Sequence, residues 1–193
     1  PDHIPTLEQF LAQISGQTPI LIEIKSEKNW PVARLCAATA QALQDYTGPH
    51  AIMSFDPRAP AWFAKHSPHT PRGLVITEED SKSIIGHLRR HLWVRQAQAQ
   101  FLAYDIRDLP SRFAAKMRQR GLKIATWTVR TPTQFVTAQT HADAPIFEGE
   151  ALNAPFPIGE GAAPSSPLPF RGGAAPNSPR PFRGGAGGGV SQI

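Results

Sequence analysis

Six short runs rich in aliphatic and aromatic residues recur along the first 150 residues, and a stretch with helical spacing separates each from the next. This alternation constrains the fold more than any other feature. A helix between two strands returns the chain to the same end of the sheet, so the strands that it joins lie parallel. The strand-like runs cover 20–25, 51–55, 73–77, 101–106, 123–129 and 144–148. Ahead of them, Thr6 with Gln9 three residues on forms a capping box over the apolar stripe Leu7, Phe10, Leu11 and Ile14, and Gly16 closes that helix. Pro31 opens a second helix running toward Gly48, and 60–66 is a short one carrying Trp62 and Phe63. The spacing predicts a helix over 81–95 with Ile84, Ile85, Leu88 and Leu92 on one side. Another over 111–120 is stopped by Gly121, and Thr131 with Gln134 caps the last.

Six parallel strands suit an open doubly wound sheet or part of a barrel. Neither G-x-G-x-x-G nor G-x-x-x-x-G-K-[ST] occurs in this region, which removes the main support for a dinucleotide-binding sheet. Lys25, Phe55, Asp105 and Trp127 instead fall at or near the far ends of different strands. That distribution belongs to a TIM (β/α)8-type barrel, whose site gathers at the C-terminal strand ends. With eight strands in a full barrel, this one is incomplete, with about six present and two absent.

Composition divides the chain into residues 1–150, a partial barrel domain, and residues 151–193, a Pro/Gly-rich tail. The tail holds eight Pro and nine Gly and repeats Pro-Phe-Arg-Gly-Gly-Ala at 169–174 and 181–186. So little apolar surface does not offset the entropy of ordering, so the tail is predicted to be disordered. The formal net charge is +5, of which Arg171, Arg180 and Arg183 less Glu160 account for +2. The barrel part is thus mildly basic, and two FRGG copies are too few for a nucleic-acid partner. The single Cys36, in a helix among Ala and Leu, reads as a small core residue and fits a reducing, cytoplasmic location. No apolar run approaches the ~20 residues of a membrane span. The chain begins at Pro1, not Met, so a leader is neither shown nor excluded.

Within Leu21-Ile22-Glu23-Ile24-Lys25, alternation puts Glu23 and Lys25 on one face of a strand. An acid and a base side by side form either a structural ion pair or a site, the acid for a metal ion and the base for an anion. The surrounding motifs decide between them. Ile4-Pro5-Thr6-Leu7-Glu8, Leu21 to Lys25, Met53-Ser54-Phe55-Asp56 and Thr126-Trp127-Thr128-Val129, in this order and spacing, resemble those of the glycerophosphodiester phosphodiesterases. The resemblance covers about residues 3–150 and implies a TIM barrel that hydrolyses glycerophosphodiesters to glycerol 3-phosphate and an alcohol. It implies that Glu23 binds Ca²⁺ or Mg²⁺, that Lys25 contacts the substrate phosphate, and that Trp127 lines the substrate pocket. Hard divalent cations take carboxylate oxygens, and Lys offers a compact charge to phosphate.

The chain also departs from that pattern. The family's H-R, E-N-T and E-x-D segments and its further catalytic His have no counterpart here, so no acid/base histidine is assigned and the metal site is expected to be incomplete. Arg130 follows W-T-V where Asn is frequent in the family. His87 and His91, four apart, read as a solvated basic face rather than a zinc pair, and His66 and His69 as loop residues. Asp105 and Asp108 are candidate carboxylates, with Asp108 better suited to a turn. Trp62 and Phe63 read as packing, and Glu148 as a residue that either faces the mouth or does not. Three functions remain: part of a phosphodiesterase inactive alone, a non-catalytic remnant, or a phosphate- or partner-binding partial barrel. Open barrel edges predict oligomers or aggregation.

Overall fold

The computed structural model describes residues 4–27, 29–79 and 83–149. The disordered tail expected over 151–193 lies outside the described residues. Strands β1 (Ile20–Glu23), β2 (His50–Ser54), β3 (Arg72–Ile76), β4 (Phe101–Asp105), β5 (Lys123–Val129) and β6 (Ala144–Phe147) pair in chain order, every pair parallel. Helix α1 (Leu7–Ile14) precedes them. Helices α2 (Val32–Ala42), α3 (Arg58–His66), α4 (Ile84–Ala97), α5 (Arg112–Gln119) and α6 (Pro132–His141) alternate with the strands, and a single 3-10 turn, Ile106–Asp108, follows β4. Both expected capping boxes form: Thr6 and Gln9 exchange hydrogen bonds at the start of α1, as do Thr131 and Gln134 at α6.

The sheet curls into an incomplete barrel. Its inner face is a cluster of Leu21, Ala51, Met53, Val75, Phe101, Ala103 and Trp127, residues that share a face by register across five strands. Its outer face holds Ile22, Ile52, Leu74, Leu102 and Ile124 against the helices. Gly73 is required inside: a Cβ there would lie 2.2 Å from the ring of Phe101, which fills the space beside it. Residues of β1 and β2 on one side and β5 and β6 on the other line one apolar cavity of about 270 Å³, so the two outer strands of the described sheet approach each other.

One expectation is corrected and one is completed. The strand expected over 20–25 ends at Glu23, which leaves Lys25 in the following loop and exposed. On α4, Ile85, Leu88 and Leu92 point outward, at 79%, 61% and 58% exposure. The inward face is Gly86, Arg90 and Ala97, with Trp93 and Val94 against the core. Helical spacing identifies a stripe but not the side that faces the sheet. The side chain of Ile84 lies outside the described residues. Cys36 is fully buried as expected, and burial, aided by the charge of Asp56, pushes its thiol up to about 11.

Candidate active site

The C-terminal ends of β1 and β2 enclose a cavity of about 290 Å³ lined by Glu23, Ile24, Lys25, Ser26, Ser54, Phe55 and Asp56. Backbone pairing positions these groups. Glu23 sits opposite Met53 in the ladder, and the Ile24 amide donates to Met53 O at 2.8 Å, which carries the pairing one residue past the strand. The Ser54 hydroxyl then donates to Ile24 O at 2.6 Å and closes the floor. Sharing a face with Leu21, the half-buried Glu23 projects to the barrel interior.

Trp127 reaches this cavity through Phe55. Their rings meet edge-on, 5.6 Å between centroids, and the Trp127 indole N–H donates to Ala103 O at 2.9 Å. The indole is thereby held in one orientation, with Phe55 half in solvent beside it. Sequence reasoning placed Phe55 at a strand end but did not pair it with Trp127. No local signal links residues on β2 and β5.

The charged groups at the mouth fall into two kinds. Most are engaged. Asp56 accepts from the Ser26 hydroxyl at 2.8 Å and from the Arg58 side chain and amide, the shortest contact 2.6 Å. Burial would raise its carboxyl, but these hydrogen bonds outweigh burial and leave its pKa lowered. Glu78 accepts from the hydroxyls of Tyr104 and Ser111 and pairs with the buried Arg90. Its pKa too is lowered: burial opposes, and those two hydroxyls with the charges of Arg90 and His87 prevail. Burial and the contact with Glu78 push the Tyr104 hydroxyl upward. Asp105 is buried and held by Arg107, whose guanidinium also binds Glu79. Asp108 accepts from the Thr77 hydroxyl and the Glu78 amide. Arg130 and Glu148 form an exposed pair at 2.7 Å, away from the cavity lining. Asp105 thus caps the 3-10 turn, Asp108 holds the loop after β3, and Arg130 is paired with Glu148.

Glu23 and Lys25 differ. Among the described residues neither side chain makes a hydrogen bond or an ion pair, with the other or with anything else. The structural ion pair that the sequence allowed does not form. A half-buried carboxylate with both oxygens unengaged is a ready ligand for a hard cation. It offers one ligand and not a cage: no group of three or more His, Cys, Asp or Glu able to hold a metal occurs among the described residues. The described histidines lie outside the cavity lining. His87 and His91 sit on α4, their Nε2 atoms 3.2 Å apart, while His66 stays near Trp62 and His69 is exposed. Trp62 packs beside the fully buried Phe63.

A putative glycerophosphoryl diester phosphodiesterase from Silicibacter pomeroyi shares this fold, with a TM-score of 0.61 at 22% identity over 75% of this chain and 53% of its own. A phosphodiesterase from Oleispira antarctica, solved in complex with the product sn-glycerol-3-phosphate, gives 0.60 at 16% identity over 74% of this chain and 57% of its own. A glycerophosphodiester phosphodiesterase from Parabacteroides distasonis gives 0.57 at 15% identity over 74% and 59%. The chain spans little more than half the length of these solved structures. No curated protein sequence matches it significantly. No helix among the described residues is long and apolar enough to cross a membrane. The model of the glycerophosphoryl diester phosphodiesterase family matches residues 1–146, through every strand that builds the mouth, and the chain belongs to that family.

Proposed function

We propose that this chain carries part of the site of a metal-dependent hydrolase that cleaves glycerophosphodiesters to glycerol 3-phosphate and an alcohol. The observation that carries this reading is the pair Glu23 and Lys25, whose side chains have no partner among the described residues and line one cavity with Asp56, which is engaged. Lys25 supplies a positive charge to the phosphate. The edge-on Phe55 and Trp127 offer an apolar wall for the carbon side of the glycerol. A divalent ion, Ca²⁺ or Mg²⁺, would be held in part by Glu23 and would draw negative charge from the phosphate oxygens. Hydrolysis adds water to phosphorus and releases the alcohol, which takes up a proton. Among the described residues no histidine lines the cavity to supply that proton. With the chain alone, glycerophosphocholine turnover is therefore expected at background.

Calorimetric titration of the chain with sn-glycerol 3-phosphate in Mg²⁺ or Ca²⁺ tests the reading. Binding that weakens tenfold or more in Lys25→Ala and in Glu23→Gln supports it, since a charge-assisted contact contributes about 1.5–3 kcal/mol. A folded wild type that does not bind, or binding unchanged in both variants, overturns it.

A second reading rests on the edges. Among the described residues β1 and β6 each pair on one side only, and the cavity between them is walled by Ile20, Leu21, Ala51, Ala144, Ile146 and Phe147. We propose that this gap takes further strands, from another copy where no others are supplied, so that the chain alone is oligomeric or aggregates. A monodisperse monomer with cooperative unfolding contradicts this. A cytoplasmic location is proposed on the single buried thiol.

A further inference from the structure

Helix α4 carries apolar side chains on both sides, and the core uses only one. Inward, Trp93, Val94 and Ala97 pack against the barrel cluster. Outward, Ile85, Leu88 and Leu92 follow one another at spacings of three and four, so they make one stripe on a convex surface. Two neighbouring helices set the charge around that stripe. Arg95 is exposed in the last turn of α4, and Arg89 lies over the ring of Trp93 at 4.8 Å. On α5 and its cap, Arg112, Lys116 and Arg120 are exposed, and the last two lie close enough to His91 for their charges to act on it. Neither helix contains an Asp or a Glu. Glu78, which lines a cavity with Ser83, His87 and Arg90, is turned inward to Tyr104, Ser111 and Arg90.

We infer that this face of α4 and α5 docks on an anionic lipid surface. An apolar stripe rimmed by Lys and Arg suits the headgroup boundary, where Ile and Leu enter the acyl region and the cations meet phosphate. Other occupants fit less well. A nucleic acid would satisfy the cations and leave three aliphatic side chains in water. A second copy bound through the same face would bring two basic surfaces together. Ile85 is at the end of the stripe nearest the barrel mouth, because α4 starts where β3 ends. Docking would therefore bring the membrane beside the mouth without covering it.

Vesicle flotation of the full chain tests this, because flotation separates bound protein from aggregate. The chain should rise with phosphatidylcholine vesicles containing phosphatidylglycerol, stay behind with phosphatidylcholine alone, and be released by raised salt. Leu88→Ser with Leu92→Ser should lower partitioning at least tenfold, and Arg95→Glu or Lys116→Glu about fivefold or more each. All four positions are exposed, and circular dichroism checks that the variants stay folded. No flotation with anionic vesicles, equal flotation with neutral ones, or flotation unchanged in all variants overturns the inference. So does retention of single-stranded RNA by a chain that ignores the vesicles.

Discussion

The mouths of β1–β2 and of β3–β4 lie side by side on one sheet and carry the same residue types, yet their chemistry differs. At β3–β4, Glu78, Glu79, Asp105 and Asp108 are answered by Tyr104, Ser111, Thr77, Arg90 and Arg107. At β1–β2, only Asp56 is answered, by Ser26 and Arg58, and Glu23 and Lys25 are not. A saturated network contributes stability and has no capacity left for a ligand. An unsaturated pair costs little to keep at a half-open mouth and has all of its capacity left. The contrast, more than either residue alone, is the ground for the proposed site.

The contrast breaks most visibly through stability. Glu78→Ala leaves the buried Arg90 without its carboxylate and should lower the unfolding free energy by about 3 kcal/mol in urea denaturation. A loss below about 1 kcal/mol would mean that the network is not what holds β3 and β4 to α4 and α5. Acid should act next. The pKa values of Glu78 and Asp56 are lowered in the folded chain from ordinary values of 4.5 and 3.8. Their stabilisation is complete above those values and disappears as pH falls through the folded ones. Unfolding free energy measured from pH 6 downward should therefore begin to drop near 4.5, and Glu78→Gln with Asp56→Asn should flatten the slope. A slope unchanged in the double variant would locate acid sensitivity elsewhere. The smallest effect is expected at the open mouth: Glu23→Gln and Lys25→Ala should each change stability by no more than about 0.5 kcal/mol. A large loss in either would make the pair structural after all.

Much of this was legible in the sequence. Capping boxes are local, and Thr6 with Gln9 and Thr131 with Gln134 formed as read. Strand positions were legible within one or two residues, because Val, Ile and aromatic runs between Gly and Pro leave few alternatives. Glu23, Lys25 and Trp127 were singled out from motifs, and the structure gathers them at one mouth through Phe55. What was not legible depends on partners far along the chain. Glu78 meets Tyr104 and Ser111 across 26 and 33 residues, and nothing near Glu78 announces either. The orientation of α4 was not legible for the same reason: spacing marks its stripe, not the side that faces the sheet. Its inward face is chosen by Arg90 reaching Glu78 and Phe113, so a charged residue is buried and three aliphatic ones are not.

The measurement that bears most directly on the open mouth is the unfolding midpoint of the chain with and without sn-glycerol 3-phosphate in Mg²⁺ or Ca²⁺. Ligand bound only by the folded state raises the midpoint in proportion to its occupancy. The wild type and the network variant Glu78→Gln should both gain, each from its own baseline, and Lys25→Ala should not. A gain in Lys25→Ala as large as in the wild type, or none in the wild type at saturating ligand, would contradict the assignment of the unpaired residues to substrate.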